Sequence, residues 1–238
     1  MKRTPTLSAL KRELKQAVGR KRAGSLTWFK TGKGEYAEHD KFLGIRVPKL
    51  RAIAARYSEL SLAGIDALLA SPIHEYRYAG LLILVARYDQ GDAATRRAVF
   101  DFYLDHTRRI NNWDLVDTSA PYIVGEHLAF RSRRVLHRLA RSPDLWERRI
   151  AMVATWAFIR RGDLRETFAI AKRLLADEHD LIHKATGWML REAGIHSRSQ
   201  LIDFLKRNYS QMPRTALRYA IEHLPEAQRK RALRGLFD

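Results

Sequence analysis

The chain has 238 residues, 46% of them hydrophobic, enough to bury a substantial core and to exclude wholesale disorder. Basic residues outnumber acidic ones 44 to 26, and the formal net charge of +18 makes a polyanion, nucleic acid first, the leading class of partner. The absence of cysteine excludes disulfides, thiolate nucleophiles, iron–sulfur clusters and cysteine-ligated zinc within the chain.

At the start, Met1-Lys2-Arg3-Thr4-Pro5 lacks an apolar run behind its charges, and the longest apolar stretch, Ala79 to Ala86, is too short to span a bilayer. A cytoplasmic protein without membrane contact is the expectation. Leu7, Leu10 and Leu14 then recur at helical spacing, a pattern that persists to Leu201, Phe204 and Leu205, whereas alternating strand-like runs are scarce. The spacing predicts an all-α fold. Breakers fall at Gly44 to Pro48, Ser71-Pro72, Gly91, Pro121, Ser142-Pro143, Gly162, Gly194 and Met212-Pro213, so that each interval holds about one helix, and one compact domain over 1–238 is expected. Thr31-Gly32-Lys33-Gly34-Glu35 has the look of a phosphate loop. It lacks the full Gly-x-x-x-x-Gly-Lys-Ser/Thr spacing and a preceding strand, which argues against nucleotide hydrolysis.

Tyr76-Arg77-Tyr78-Ala79, Asn112-Trp113-Asp114, Arg148-Arg149-Ile150-Ala151, His183-Lys184-Ala185 and Pro213-Arg214-Thr215-Ala216 each open a helical apolar run. Aligning Arg77, Trp113, Arg149, Lys184 and Arg214 gives intervals of 36, 36, 35 and 30 residues, a period suited to stacked helix pairs of the HEAT kind. The expected architecture is therefore a superhelical solenoid of HEAT-like antiparallel helix pairs. A residue four positions on lies about 40° away around the helix, so Leu81, Asp117, Val153, Trp188 and Arg218 join the marked face. In a solenoid that face is concave, and here it is basic and aromatic where a purely structural stripe would be Leu, Ile and Ala.

Asp117, one turn beyond Trp113, is the leading candidate for chemistry. A fixed carboxylate in a partly desolvated site can stabilise the positive charge that develops on a sugar as a glycosidic bond breaks. An ion pair with an arginine of the next repeat is the competing reading. Asp114 points about 100° away from Trp113 in an ideal helix and ranks second. Trp113 and Trp188 are either core residues or stacking surfaces that attract a cationic, ring-methylated purine. Trp146 and Trp156 are assigned to packing. Arg149 and Lys184 are assigned to phosphate contacts, with Arg77 and Arg214 on the same face. The pairs Arg96-Arg97, Arg108-Arg109, Arg133-Arg134 and Arg160-Arg161 extend the footprint or serve helix C-termini. His179 and His183 have a spacing a metal could use, but capping is the preferred reading and no metal or other cofactor is expected. Nothing like a nucleophile elbow is present.

Four separated segments carry a family resemblance. They are Trp28-Phe29-Lys30-Thr31-Gly32 through Lys41-Phe42-Leu43-Gly44-Ile45-Arg46-Val47-Pro48; Trp113-Asp114-Leu115-Val116-Asp117 with Pro121 and Gly125; Trp146-Glu147-Arg148-Arg149-Ile150-Ala151; and Lys184-Ala185-Thr186-Gly187-Trp188-Met189-Leu190-Arg191-Glu192. In these the chain resembles the AlkD family of bacterial DNA alkylpurine glycosylases, HEAT-like repeat proteins. The resemblance implies a catalytic aspartate at Asp117, lesion-side tryptophans at Trp113 and Trp188, and a backbone-contacting arginine at Arg149. A further N-terminal aromatic falls on Trp28, with Phe29 or Tyr36 as alternatives. It further implies excision of cationic 3-methyladenine and 7-methylguanine from double-stranded DNA. The enzyme would be monofunctional and cofactor-free, acting as a monomer on a lesion that stays in the stack. A non-catalytic binder of damaged or branched DNA and a HEAT-type protein-interaction scaffold are the readings to be set against it.

Overall fold

The structure, a computed structural model, describes residues 6–18 and 29–237; Trp28 lies outside them. The chain divides into two compact units, residues 1–123 and 124–238. Among the described residues every regular element is helical, as the apolar spacing predicts, and strand pairing is limited to an isolated parallel bridge between Lys41 and Ile73. No helix among the described residues is long and apolar enough to cross a membrane.

The first unit holds α1 (Leu7–Gln16), α2 (Val47–Ala54), α3 (Leu62–Leu69), α4 (His74–Gln90), α5 (Ala93–Asp105) and α6 (Trp113–Ala120). Short polar side chains fix several starts by accepting orphan amide hydrogens: Thr6 from Ala9, Ser61 from Gly64, Asp92 from Thr95 and Asn112 from Trp113. Helix α4 packs against α2, α3, α5 and α6, which is why its apolar residues are not confined to one stripe and Tyr78, Ala79, Leu81, Ile83 and Leu84 are all buried.

The second unit holds α7 (Glu126–Leu128), α8 (Arg134–Leu139), α9 (Leu145–Val153), α10 (Trp156–Ile159), α11 (Arg165–Leu174), α12 (Asp180–His196), α13 (Arg198–Asn208), α14 (Arg214–Ala220) and α15 (Glu226–Ala232). Asp144 caps α9 by accepting from Trp146 and Glu147, and Pro213 and Pro225 precede α14 and α15. The aligned positions fall near the starts of helices that pack on one another in chain order: Arg77 in α4 and Trp113 in α6, then Arg149 in α9, Lys184 in α12 and Arg214 in α14. Within each unit, then, the period marks stacked helices.

Two expected breakers do not break. Pro121 opens a π-helical turn, Pro121–Gly125, that carries the chain on from α6; the wider turn leaves room for a residue that has no amide hydrogen to give. Gly194 lies inside α12, where a Cβ would come within 2.4 Å of Leu201 Cδ2, so the glycine is there for the close approach of α13.

Polar ties link residues about one repeat apart. Arg77 to Asp40 spans 37 positions, His74 to Asp114 spans 40, His106 to Asp66 spans 40, Arg161 to Glu126 spans 35, Arg148 to Asp177 spans 29 and Arg191 to Glu222 spans 31.

Candidate functional site

In the first unit the site is hung on the start of α4. The loop before it lies alongside residues 41–45: Lys41 N–H donates to Pro72 O at 2.9 Å and His74 N–H donates to Lys41 O at 2.8 Å. The buried Glu75 carboxylate then accepts from the amides of Leu43 (2.8 Å), Gly44 (2.6 Å) and Ile45 (3.3 Å). Gly44 sits at φ +78°, a left-handed turn that folds these amides toward one carboxylate. Phe42 is thereby fixed beside His74, with ring centroids 4.9 Å apart.

His74 is 3% exposed and lies between two carboxylates. Its Nε2 is 2.8 Å from Asp114 Oδ2, and its Nδ1 is 3.5 Å from Asp40 Oδ2, a charge contact longer than a good hydrogen bond. Asp40 also accepts from Arg77 Nη2 at 2.5 Å and from Asn112 Nδ2 at 3.1 Å. Burial by itself would make the imidazolium unfavourable. The hydrogen bond to Asp114, the close approach of Asp40 and the Asp114 charge outweigh burial and the opposing Arg77 charge, raising the His74 pKa to about 9. Asp40 shows the complementary balance: burial pushes it up, but the nearby His74, the Arg77 charge and the Asn112 amide hold it below the usual carboxylate range.

Above this charged layer lies an aromatic one. Phe29 stacks on Phe42 at 4.8 Å and on Trp113 at 5.6 Å, and its ring is 5.0 Å from that of His74. Among the described residues Phe29 is placed against Trp113, and Trp28 lies outside them. Trp113 is half-buried and opens α6, its amide donating to Asn112 Oδ1 at 2.8 Å. Asp117, one turn further along α6, is also half-buried. The Tyr103 phenol is pushed well above its ordinary pKa, chiefly by burial and in part by the Asp117 charge, and the Ser119 hydroxyl lies 2.9 Å from it. A partly desolvated carboxylate beside a planar aromatic surface can lower the energy of a developing cation.

In the second unit Trp188 is half-buried and its indole N–H donates to Glu192 Oε1 at 3.1 Å. Glu192 in turn pairs with Arg191 at 3.0 Å. Arg149 is buried, donating from Nη1 to Leu181 O at 2.6 Å. Lys184 is partly exposed and pairs with Asp180 at 2.7 Å, while Arg214 is exposed and donates to Leu233 O at 2.7 Å.

The reading of Arg77 as a phosphate-contacting side chain needs correcting. It is 3% exposed, and its guanidinium is occupied by Asp40 and by Ser71 O at 3.0 Å, so it faces inward to neutralise a buried carboxylate. The arginine pairs serve largely local roles. Arg96 donates to Tyr88 O and Asp89 O at the end of α4, Arg109 pairs with Asp66, and Arg133 pairs with Asp163 while lying 4.1 Å from the Phe158 ring centroid. His179 caps α12 by accepting from Leu181 N–H at 3.1 Å, and no metal-binding group of three or more His or acidic residues occurs among the described residues. In the phosphate-loop lookalike, the amides of Gly32 and Gly34 already donate to Glu35 and Glu38, at 2.8 Å each.

Sequence reasoning missed Asp40, Phe42, His74, Glu75 and Asn112. One signal was available: Ser71-Pro72-Ile73-His74-Glu75 puts two adjacent ionisable residues at a helix start, where the flanking residues are apolar enough to bury them. Exposed Lys30, Lys33, Lys41, Arg46 and Lys49 also surround the aromatic positions Phe29 and Phe42 in sequence, a basic segment overlooked because it lies outside the repeat register.

The family model described as "DNA alkylation repair enzyme" matches residues 10–224. Among solved structures the chain is similar to one titled "Predicted DNA alkylation repair enzyme from Enterococcus faecalis", with 17% identity, a TM-score of 0.67, and coverage of 86% of this chain and 95% of that one. At that identity the likeness establishes a common all-helical fold. No curated protein matches the chain.

Proposed function

The chain belongs to the DNA alkylation repair enzyme family, and on that premise we propose that it is a monofunctional, metal-independent DNA glycosylase. It hydrolyses the N-glycosidic bond of cationic alkylated purines, 3-methyladenine and 7-methylguanine, in double-stranded DNA. The observation that carries this reading is a half-buried carboxylate, Asp117, one helical turn beyond the half-buried Trp113, which is itself held in an aromatic stack.

A ring-methylated purine already carries positive charge, so its bond to C1′ is weakened before any protein group acts. As that bond breaks, its electron pair leaves with the purine, neutralising it, and positive charge grows on the deoxyribose. Asp117 offers a fixed negative charge to that sugar and an acceptor for the attacking water, whose oxygen bonds C1′ while its proton is released. Trp113 presents an aromatic face that favours the cationic lesion over a neutral base. Trp188 adds a second aromatic surface on the DNA, and Lys184 and Arg214 serve the phosphate backbone, while the buried Arg149 fixes the start of α12, which carries Lys184, through Leu181 O. A lesion addressed through its sugar can stay in the stack, and no lysine Schiff base is required, so the product is an abasic site with an intact strand. In this reading the protein works alone in the cytoplasm as the first step of base excision repair.

The test is a duplex carrying a single 7-methylguanine. Free base is released without added metal, and Asp117→Asn lowers the single-turnover rate by on the order of 100- to 1,000-fold while leaving duplex affinity within a few-fold. An unchanged rate in that variant overturns the role of Asp117. Tight binding to an abasic-site mimic, without base release from any alkylated duplex, replaces the enzyme with a damaged-DNA binder.

A further inference from the structure

His74 and Glu75 are titratable side chains buried on consecutive residues at the start of α4, and neither belongs to the reaction just described. They reach in different directions. Glu75 binds three successive amides of the 43–45 loop and so fixes Phe42; His74 crosses to Asp114 in the first turn of α6. Asp40 closes the circuit. It accepts from Arg77 on α4 and from the Asn112 amide, and the Asn112 carbonyl oxygen accepts the Trp113 N–H.

The first turn of α6 is therefore gripped at three consecutive residues: Asn112 through Asp40, the Trp113 amide through Asn112, and Asp114 through His74. Asp117 lies one turn further along the same helix. A hydrophobic contact would let α6 slide or rotate at small cost, whereas charge-assisted hydrogen bonds in a dry setting fix direction as well as distance. The expense of burying four charges makes packing alone a poor explanation, since an apolar cluster of equal volume holds helices together at least as well. The groups facing His74 are Asp114 from α6, Asp40 from the loop before α2, and Arg77 from its own helix, with the Phe29, Phe42 and Tyr78 rings completing its surroundings.

We propose that His74, held between Asp40 and Asp114, is a positioning residue that sets the orientation of Trp113 and of the α6 turn bearing Asp117. The inference rests on the glycosylase reading for its catalytic consequence, but the geometric claim stands apart from it. In the protonated state the cluster of two carboxylates, one imidazolium and one guanidinium is neutral. Removing the imidazolium proton leaves one uncompensated negative charge under the aromatic layer and sets a lone pair against a carboxylate, which loosens the grip on α6.

The experiment combines a spectrum and a rate. The protein is labelled with 5-fluorotryptophan and the Trp113 and Trp188 resonances are assigned from Trp113→Phe and Trp188→Phe. In the wild type the Trp113 line moves on raising the pH through about 9. In His74→Gln it is displaced or broadened from the outset and no longer titrates there, while the Trp188 line stays in place in both. Asp114→Asn, which keeps an acceptor for the imidazole but removes its charge, gives an intermediate displacement and serves if His74→Gln fails to fold. On a 7-methylguanine duplex the His74 variant loses roughly 10- to 100-fold in single-turnover rate, with duplex affinity within a few-fold of wild type. A Trp113 line in its wild-type place in both folded variants overturns the positioning role, whatever the rate. Moved Trp113 lines together with no base release by the wild type overturn the glycosylase reading and leave the positioning intact.

Discussion

Replacing His74 with glutamine costs stability in a way that depends on pH, and the sign follows from the site. The imidazole is charged in the fold because Asp114 and Asp40 outweigh the cost of its burial and the repulsion of Arg77, lifting its pKa from 6.5 to about 9. A group whose pKa is higher in the folded than in the unfolded chain stabilises the fold fully below the unfolded value. That contribution falls as pH rises through the folded value. A rise of this size corresponds to roughly 3 kcal/mol below about pH 6.5, fading between about pH 6.5 and pH 9. Urea unfolding of wild type and His74→Gln, run at about pH 6, 8 and 10, measures it directly. Other groups that change charge at high pH do so in both proteins and cancel in the difference. The gap between the two proteins should narrow by about 2 to 3 kcal/mol from the lowest pH to the highest. A gap that stays constant across the range refutes the assignment of a charged His74 and leaves only a packing defect.

Three other outcomes follow from the geometry. Gly187→Ala places a Cβ within 2.5 Å of the backbone Ala216 O, where the α12 backbone lies directly against α14, and should lower unfolding stability by about 1 to 3 kcal/mol; a neutral change in the denaturant midpoint would mean that α14 yields easily. Glu75→Gln keeps one acceptor oxygen but turns a donor toward the 43–45 amides, which should cost about 1 to 3 kcal/mol and raise amide exchange at Leu43, Gly44 and Ile45 above that of the α4 interior. Duplex affinity should fall by on the order of 1,000-fold between 50 and 200 mM salt if six or more phosphates are contacted; a nearly flat salt dependence removes DNA as the partner of the basic surface.

The parts of the fold set by local rules were legible in the sequence. Apolar spacing and polar caps placed the helices, and the Arg77, Trp113, Arg149, Lys184 and Arg214 register fell on helices that stack within each unit. Function of a side chain within that register was less legible. Arg77 and Arg214 hold equivalent positions, yet one is sealed against Asp40 and the other is exposed, because the deciding partner lies 37 residues away from Arg77 in a loop that no periodicity describes. Asp114 ranked behind Asp117 on helical angle alone, and that angle is what turns it to His74, away from Trp113. Pro121 reads as a stop in any local scheme; only a π turn lets it continue.

The cross-links spaced about one repeat apart have a thermodynamic consequence. In the second unit each joins a helix layer to the next, as Arg148 does to Asp177 and Arg191 to Glu222, so that losing one weakens two adjacent layers first. Cooperativity in such an array is short-ranged. Within that unit fraying at one end can then proceed layer by layer, and a defect near α14 need not melt the neighbourhood of α9.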